Sequence, residues 1–278
     1  MKIIVSHFSP DIDSICASWL VARFMPGFSQ AEMRFVAAGK TYEDMPVDSN
    51  PDIIHVDTGF GKFDHHQNND YTCASLKVFE YLKIQGFLKL KYAKTLERIT
   101  RQVNEFDHFM ESSYPEPNAD RYEFMIHKII EAGMKNIIHD DLKILEHVFI
   151  ELDSLFIIFL KKIQAEEEIK KGYVFQSNWG RTLVLESKNE ETMKLALKSG
   201  FELVAKKNPE KGNLRIKTLP GKKYDLKKLH DKIVKEDKKG TWFFHASGNM
   251  LLNSSSKNPN FIASPITTKR LIEIIKSI

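Results

Sequence analysis

The chain opens on a short apolar run, residues 2–6 (KIIVS), that passes without a spacer into Ser-His-Phe-Ser-Pro-Asp. Pro10 lacks the amide that a strand ladder needs, so the run has to end before it. An apolar run of this length, closed by a break, reads as a buried parallel strand. Asp13 or Ser14 can cap a helix over residues 15–24, and residues 33–38 and 53–57 read as two further strands. Strand, helix, strand, strand is the order of a parallel α/β sheet. Ligands of such sheets bind at the carboxyl ends of the strands, where His7 and Asp57 both fall.

Two clusters carry chemistry. In His7-x3-Asp11-x-Asp13 one imidazole and two carboxylates share a tight loop after a strand. That donor mix suits manganese, iron or magnesium rather than a thiolate-bound ion. A turn and helix cap would use the same Pro and Asp for geometry alone. The second cluster is Asp57-Thr58-Gly59 followed by Asp64-His65-His66-Gln67. Gly59 permits a sharp turn after the strand-terminal Asp57. Three consecutive side chains cannot all face one way on a strand, so Asp64, His65 and His66 divide roles.

In their order, His7-x3-Asp11-x-Asp13-Ser14, Asp57-x-Gly59 and Asp64-His65-His66 resemble the DHH phosphoesterase superfamily. That group includes RecJ-type exonucleases, oligoribonucleases, cyclic dinucleotide phosphodiesterases and manganese-dependent pyrophosphatases. The likeness spans residues 1–110 and is specific in motif order, not in substrate. It implies an α/β fold: a parallel-sheet DHH domain plus a smaller C-terminal α/β domain across a cleft. It also implies two divalent metal ions, manganese first, with magnesium or cobalt as alternatives. His7 and Asp11 would hold one ion; Asp13, His65 and a later acidic residue would hold the other; Asp57 would bridge. Asp107 in Val103-Asn104-Glu105-Phe106-Asp107 fits the later position, because Val103 and Phe106 would face the core, and Glu105 is its rival. His66 would contact the substrate phosphate while Asp64 orients the histidine pair. Asp57, Asp64 and His66 are thus the catalytic expectation, and His55 is structural.

The activity implied is hydrolysis of phosphodiester bonds in short single-stranded oligonucleotides or dinucleotides, by a water activated between two metal ions. A small-molecule phosphatase or pyrophosphatase is the alternative enzyme. A non-catalytic nucleotide- or nucleic-acid-binding protein is the alternative of another class.

The rest of the chain reads as two helices over residues 75–107, two more over 126–168 with a break near His139, and a second α/β region from about residue 171. The expected division is a catalytic domain at 1–135, a helical linker at 136–170 and a substrate-binding domain at 171–278. Charge divides similarly: 19 basic and 27 acidic residues up to residue 170, 22 basic and 10 acidic beyond it. Acidic clusters gather cations and basic surfaces gather phosphates. In residues 242–250 (WFFHASGNM), His245, Gly248 and Asn249 distantly resemble the glycine-and-histidine signature of the DHH-associated domain. With Ser254 and Ser255 they are the candidate substrate-binding residues of this half. Arg215 and Lys217 alternate on an expected strand, and Trp179 and Trp242 read as core or as base-stacking residues.

Cys16 and Cys73 are too few for a disulfide framework and read as small buried hydrophobes. Residues 148–160 are the most apolar run, but carry Glu151 and Asp153 and fall short of the roughly 20 residues that cross a bilayer. They read as a buried helix. No leader pattern opens the chain, so a cytoplasmic protein without membrane attachment is expected; oligomeric state is open, a homodimer among the options.

Overall fold

β1 (Ile3–His7) lies between β2 (Glu32–Val36) and β3 (Ile53–His55) in a sheet of order β2-β1-β3, both pairings parallel. The structure is a computed structural model that describes residues 1–221, 224–253 and 260–278. Being central, β1 buries both faces: Ile4 joins the main core, while Ile3 and Val5 pack with Ile53 and Tyr42 on the other side. His7 is the last residue of the strand rather than the first of the turn.

α1 (Ile12–Phe24) starts earlier than the sequence suggested. Its cap is Asp11, not Asp13 or Ser14. The Asp11 carboxylate accepts from Ser14 N at 2.9 Å, and Ser14 Oγ accepts from Asp11 N at 3.0 Å. This reciprocal capping box satisfies the first turn without Asp13, whose carboxylate is left for another purpose. α1 is buried nearly all round, enclosed by β1, α2 (Ala74–Ile84) and α3 (Leu90–Asp107). A helix apolar on every side is the expected result of such enclosure. Trp19 is wholly buried there, with Phe24 and Phe156 edge-on to it and Nε1 donating to Asp153 at 2.8 Å.

Residues 126–137 are helical, with Ile129–Met134 in the wider π form. α4 (Asp141–Lys171) corrects one expectation. Val148 and Leu152 are buried, but Ile150, Ile157 and Ile158 are exposed, so only one stripe of residues 148–160 enters the core. Apolar content alone does not say how many sides of a helix are covered. No helix among the described residues is long and apolar enough to cross a membrane. Cys16 lies in α1 and Cys73 just before α2; both are free and buried.

The chain forms two compact units, Met1–Leu160 and Lys161–Ile278, dividing within α4. The second holds a six-stranded sheet of β4 (Tyr173–Ser177), β5 (Gly180–Glu186), β6 (Leu203–Lys207), β7 (Leu214–Thr218), β8 (Phe243–Phe244) and β9 (Met250–Leu252). Its order is β4-β5-β6-β7-β9-β8, with only β5 and β6 parallel. α6 (Lys227–Glu236) and α7 (Thr268–Lys276) pack on one face with Ile216 and Leu251; α5 (Glu191–Lys198) packs on the other with Leu183 and Val204. The fold is therefore α/β throughout, a parallel sheet followed by a mixed one.

Candidate metal centre

The site forms where the three parallel strands end. His7 closes β1, Gly39 follows β2, and Asp57 follows β3 in a left-handed conformation (φ 54°). Asp57 is 4% exposed, and its two oxygens face two histidines: Oδ2 lies 3.2 Å from His7 Nε2, Oδ1 3.3 Å from His65 Nε2. On one side, His7, Asp11 and Asp57 each bring one donor atom within 4.8 Å of the others; on the other, Asp13, His65 and Asp107 do the same. His65 Nε2 is 3.9 Å from Asp13 and 3.8 Å from Asp107. All six residues expected as ligands thus meet in two adjoining groups with Asp57 between them.

Local structure holds each in place. His7 Nδ1 is 2.8 Å from the Phe8 carbonyl, which fixes that nitrogen as the donor and leaves Nε2 facing Asp57 and Asp11. Asp13, released from capping its own helix, accepts from Ala74 N at 2.7 Å and Ser75 N at 2.9 Å. Its carboxylate thereby caps α2, where the helix N-terminus favours negative charge. Asp64 is buried and ties the loop after β3 together, accepting from Phe60 N at 2.7 Å and from His66 N and Nδ1 at 3.1 and 2.8 Å. The Lys77 ammonium donates to the Asp64 carbonyl. His66 is held by one nitrogen, with its side chain 57% exposed.

Glu105, the rival acid, accepts from Tyr114 Oη and Gln102 Nε2, whereas Asp107 faces His65. His108 bonds the Asn104 carbonyl and lies against Tyr71. His55 accepts from Tyr42 N at 2.9 Å and is structural.

The electrostatics follow from crowding four carboxylates. Burial first, then repulsion from Asp57, Asp107 and Asp11, pushes the Asp13 carboxyl up to about 8. Burial also leads for Asp107, and its pKa rises to about 6. The Asp57 carboxylate beside it, opposed by burial and aided by Asp107, raises His65 to about 9. For His7, burial pulls downward but the hydrogen bonds to Asp57 and Phe8 prevail, giving about 9. Burial would lift Asp57 as well, yet its two histidines hold it below the usual carboxylate range. The crowded carboxylates thus favour positive charge at this point of the fold. Asp57 Oδ1 is buried without a well-formed hydrogen bond, its neighbours being the ring nitrogens of His65 at 3.3 Å and His66 at 3.7 Å, so it keeps the capacity to bind a cation. Imidazole and carboxylate donors in this number fit hard divalent ions.

A cavity of about 420 Å³ opens onto the centre, lined by His7, Asp11, Asp57, Asp107, His66, Gly39 and Phe60, among others. Sequence reading passed over Phe60 and Gly39; a Phe between two glycines shortly after Asp57 was the available signal. It also passed over Thr58, which is buried and clasps the two loops: Oγ1 donates to the Lys40 carbonyl at 3.0 Å and accepts from Gly39 N at 3.1 Å. Thr58→Val is expected to lower unfolding free energy by about 1–2 kcal/mol, since the Gly39 amide and Lys40 carbonyl lose this partner. Urea denaturation checks this; no loss would mean the clasp is dispensable.

His245, Gly248 and Asn249 lie in the second unit, at the β8–β9 turn. His245 Nδ1 bonds the Ser247 hydroxyl, and Gly248 takes a left-handed φ of 74°. The Asn249 amide nitrogen lies within hydrogen-bond distance of Thr218 Oγ1 and of the carbonyls of Leu219, Gly221 and Tyr224, among which its two hydrogens are shared. Ser254 and Ser255 lie outside the described residues. Trp179 and Trp242 pack in the second unit's core, each with its indole N–H bonded, to Asp225 O and Asp237 Oδ2. Arg215 and Lys217 alternate with buried Leu214 and Ile216, and Arg215 pairs with Glu190.

No family model matches the chain, and no curated protein does. Among solved structures it is similar to the pGpG-specific phosphodiesterase PggH from Vibrio cholerae, at 13% identity over 90% of this chain and 91% of that one, with a TM-score of 0.34. It is also similar to RecJ in complex with Mg2+ from Thermus thermophilus, at 11% identity over 99% of this chain but 49% of RecJ, TM-score 0.34. A third is an exopolyphosphatase-related protein from Bacteroides fragilis, at 12% identity over 99% and 91%, TM-score 0.29. Overall similarity this low carries no weight about the site. By its motif order, and by the way the fold gathers those motifs at one end of a parallel sheet, the chain resembles the DHH phosphoesterase superfamily.

Proposed function

We propose that the chain is a metal-dependent phosphodiesterase that hydrolyses short oligonucleotides or dinucleotides at this centre. The observation that supports the reading is Asp57: a buried carboxylate that belongs to the first donor group through one oxygen and faces His65 of the second through the other. His7 and Asp11 would hold one divalent ion, Asp13, His65 and Asp107 a second, and Asp57 would serve both. Manganese is the first candidate. Such ions supply positive charge to a phosphoryl group and lower the pKa of water.

The chain's own residues supply orientation. Asp64 accepts a hydrogen bond from His66 Nδ1, which leaves Nε2 as the nitrogen available to a substrate. His66 lines the cavity, where Nε2 would contact a non-bridging phosphate oxygen. Asp64 would act through the ring it fixes and, through Phe60 N, the loop that carries it. Asp13 anchors its metal group to the start of α2, so that group sits on a helix terminus rather than a loose loop.

The test is turnover of a panel in Mn2+: a dinucleotide, a five-nucleotide RNA, the matching DNA, a cyclic dinucleotide and pyrophosphate, each repeated with excess chelator. Metal-dependent cleavage of a nucleotide diester is the expected result. Pyrophosphate release with every nucleotide inert would replace the phosphodiesterase reading by the pyrophosphatase one. Metal binding without any turnover would leave a binding protein.

A further inference from the structure

Phe60 is an aromatic residue in a place where folding gains little from it. It is 55% exposed, although it lines the cavity over the metal centre. Its backbone sits at φ 56°, a left-handed conformation that is unfavourable for a bulky side chain. Two devices hold it there. Asp64 Oδ2 accepts from Phe60 N at 2.7 Å, and the ring edge lies over Gly39, where an added Cβ would stand 3.2 Å from Cε2 and Cζ. Gly59 and Gly61 flank it, so the loop is already built of residues suited to a tight path. A glycine at position 60 would relieve the backbone and leave no hole in the core. An exposed ring held under strain beside a site points to a ligand that uses the ring.

The cavity helps to define that ligand. Its volume of about 420 Å³ suits an organic molecule rather than a bare phosphate. The donor groups at its base suit the phosphate; Phe60 is an apolar, flat surface at its wall. We infer that Phe60 is the stacking platform for the base of a nucleotide whose phosphate lies at the metal centre, making it the residue that selects nucleotides over inorganic phosphates. This rests on the phosphodiesterase reading of the same centre. Base-on-aromatic stacking strengthens binding by about 10- to 100-fold and tolerates any base, because every base has a π-face.

The experiment compares the Mn2+-loaded full chain with its Phe60→Ala, Phe60→Gly and Phe60→Tyr variants, titrated calorimetrically with AMP and with ribose 5-phosphate. The same chains are melted and assayed on a dinucleotide. Wild type is expected to bind AMP about 10- to 100-fold more tightly than ribose 5-phosphate. In Phe60→Ala and Phe60→Gly the ratio should fall towards one, and in Phe60→Tyr it should persist. Phe60→Gly should melt no lower than wild type, which separates lost stacking from lost fold. A wild-type ratio of one, or a ratio indifferent to Phe60→Ala, overturns the assignment. If the ratio responds to Phe60 but no diester is cleaved, the hydrolase reading fails and the stacking platform stands. Binding of neither ligand overturns both.

Discussion

Replacing Asp57 with asparagine is expected to cost about 1,000-fold or more in kcat/KM for a dinucleotide, with metal content falling in parallel. The substitution keeps the shape and changes the chemistry. An amide N–H2 would replace one of two oxygens that lie 3.2 and 3.3 Å from the ring nitrogens of His7 and His65. The negative charge shared by both donor groups would go with it. Metal ions stabilise phosphoryl-transfer charge by several kcal/mol, and each 1.36 kcal/mol is tenfold in rate. Folding should survive, because asparagine tolerates the left-handed backbone that Asp57 adopts. Glu105→Gln is the control: Glu105 is bonded to Tyr114 and Gln102 rather than to the centre, so activity should be retained. Kinetics, elemental metal analysis and circular dichroism together decide the matter. An Asp57→Asn protein with more than a tenth of wild-type activity would remove Asp57 from the centre.

Removing metal should reverse the dependence of stability on pH. Without metal, the folded chain keeps a proton on Asp13 up to about pH 8, whereas an unfolded Asp releases it near 3.8. That site therefore destabilises the fold progressively as pH rises between those values. His7 and His65, raised from 6.5 to about 9, act in the same direction. Their stabilisation is complete below 6.5 and disappears as pH rises through 9. Asp57 has the opposite sense, its contribution being lost only in acid. Between pH 6.5 and 9 the metal-free protein should accordingly lose stability.

With metal bound the sign changes, since protons compete with the ion for the same ligands and binding tightens as they leave. Melting curves from pH 6 to 9, in chelator and in Mn2+, should diverge as pH rises. The gap should reach on the order of 10 °C at the alkaline end, if several kcal/mol are involved. Parallel curves would show that the six side chains do not bind metal in the folded chain.

Much of this was legible in the residues. The apolar run before His7 marked the first strand, which runs one residue further and takes in His7; the strand expected over residues 53–57 is present but stops at His55, so Asp57 follows it instead of ending it. The two helices expected over residues 75–107 are α2 and α3, and the strand expected to carry Arg215 and Lys217 is β7. The misreadings share a cause. Asp13 looked like the cap of its own helix because Asp commonly is one, but it caps α2, whose Ala74 lies 61 residues further on. Residues 148–160 looked buried because they are apolar, but the number of sides covered depends on what packs against them. Nothing in the sequence marks Thr58, because its two partners, Gly39 and Lys40, belong to another loop.

The sequence by itself determined which donor types were present, their order, and that two of them would lie at the carboxyl ends of strands of one parallel sheet. Those properties follow from local steric rules and hydrophobic periodicity, which act over short stretches of chain. Tertiary structure alone decided the rest: that Asp107 rather than Glu105 faces His65, that Asp57 divides its oxygens between two histidines, and that Phe60 stands at the wall of the cavity. Each of these depends on the separation and direction of side chains from different segments. Packing sets both, and the pattern of any one segment does not contain them.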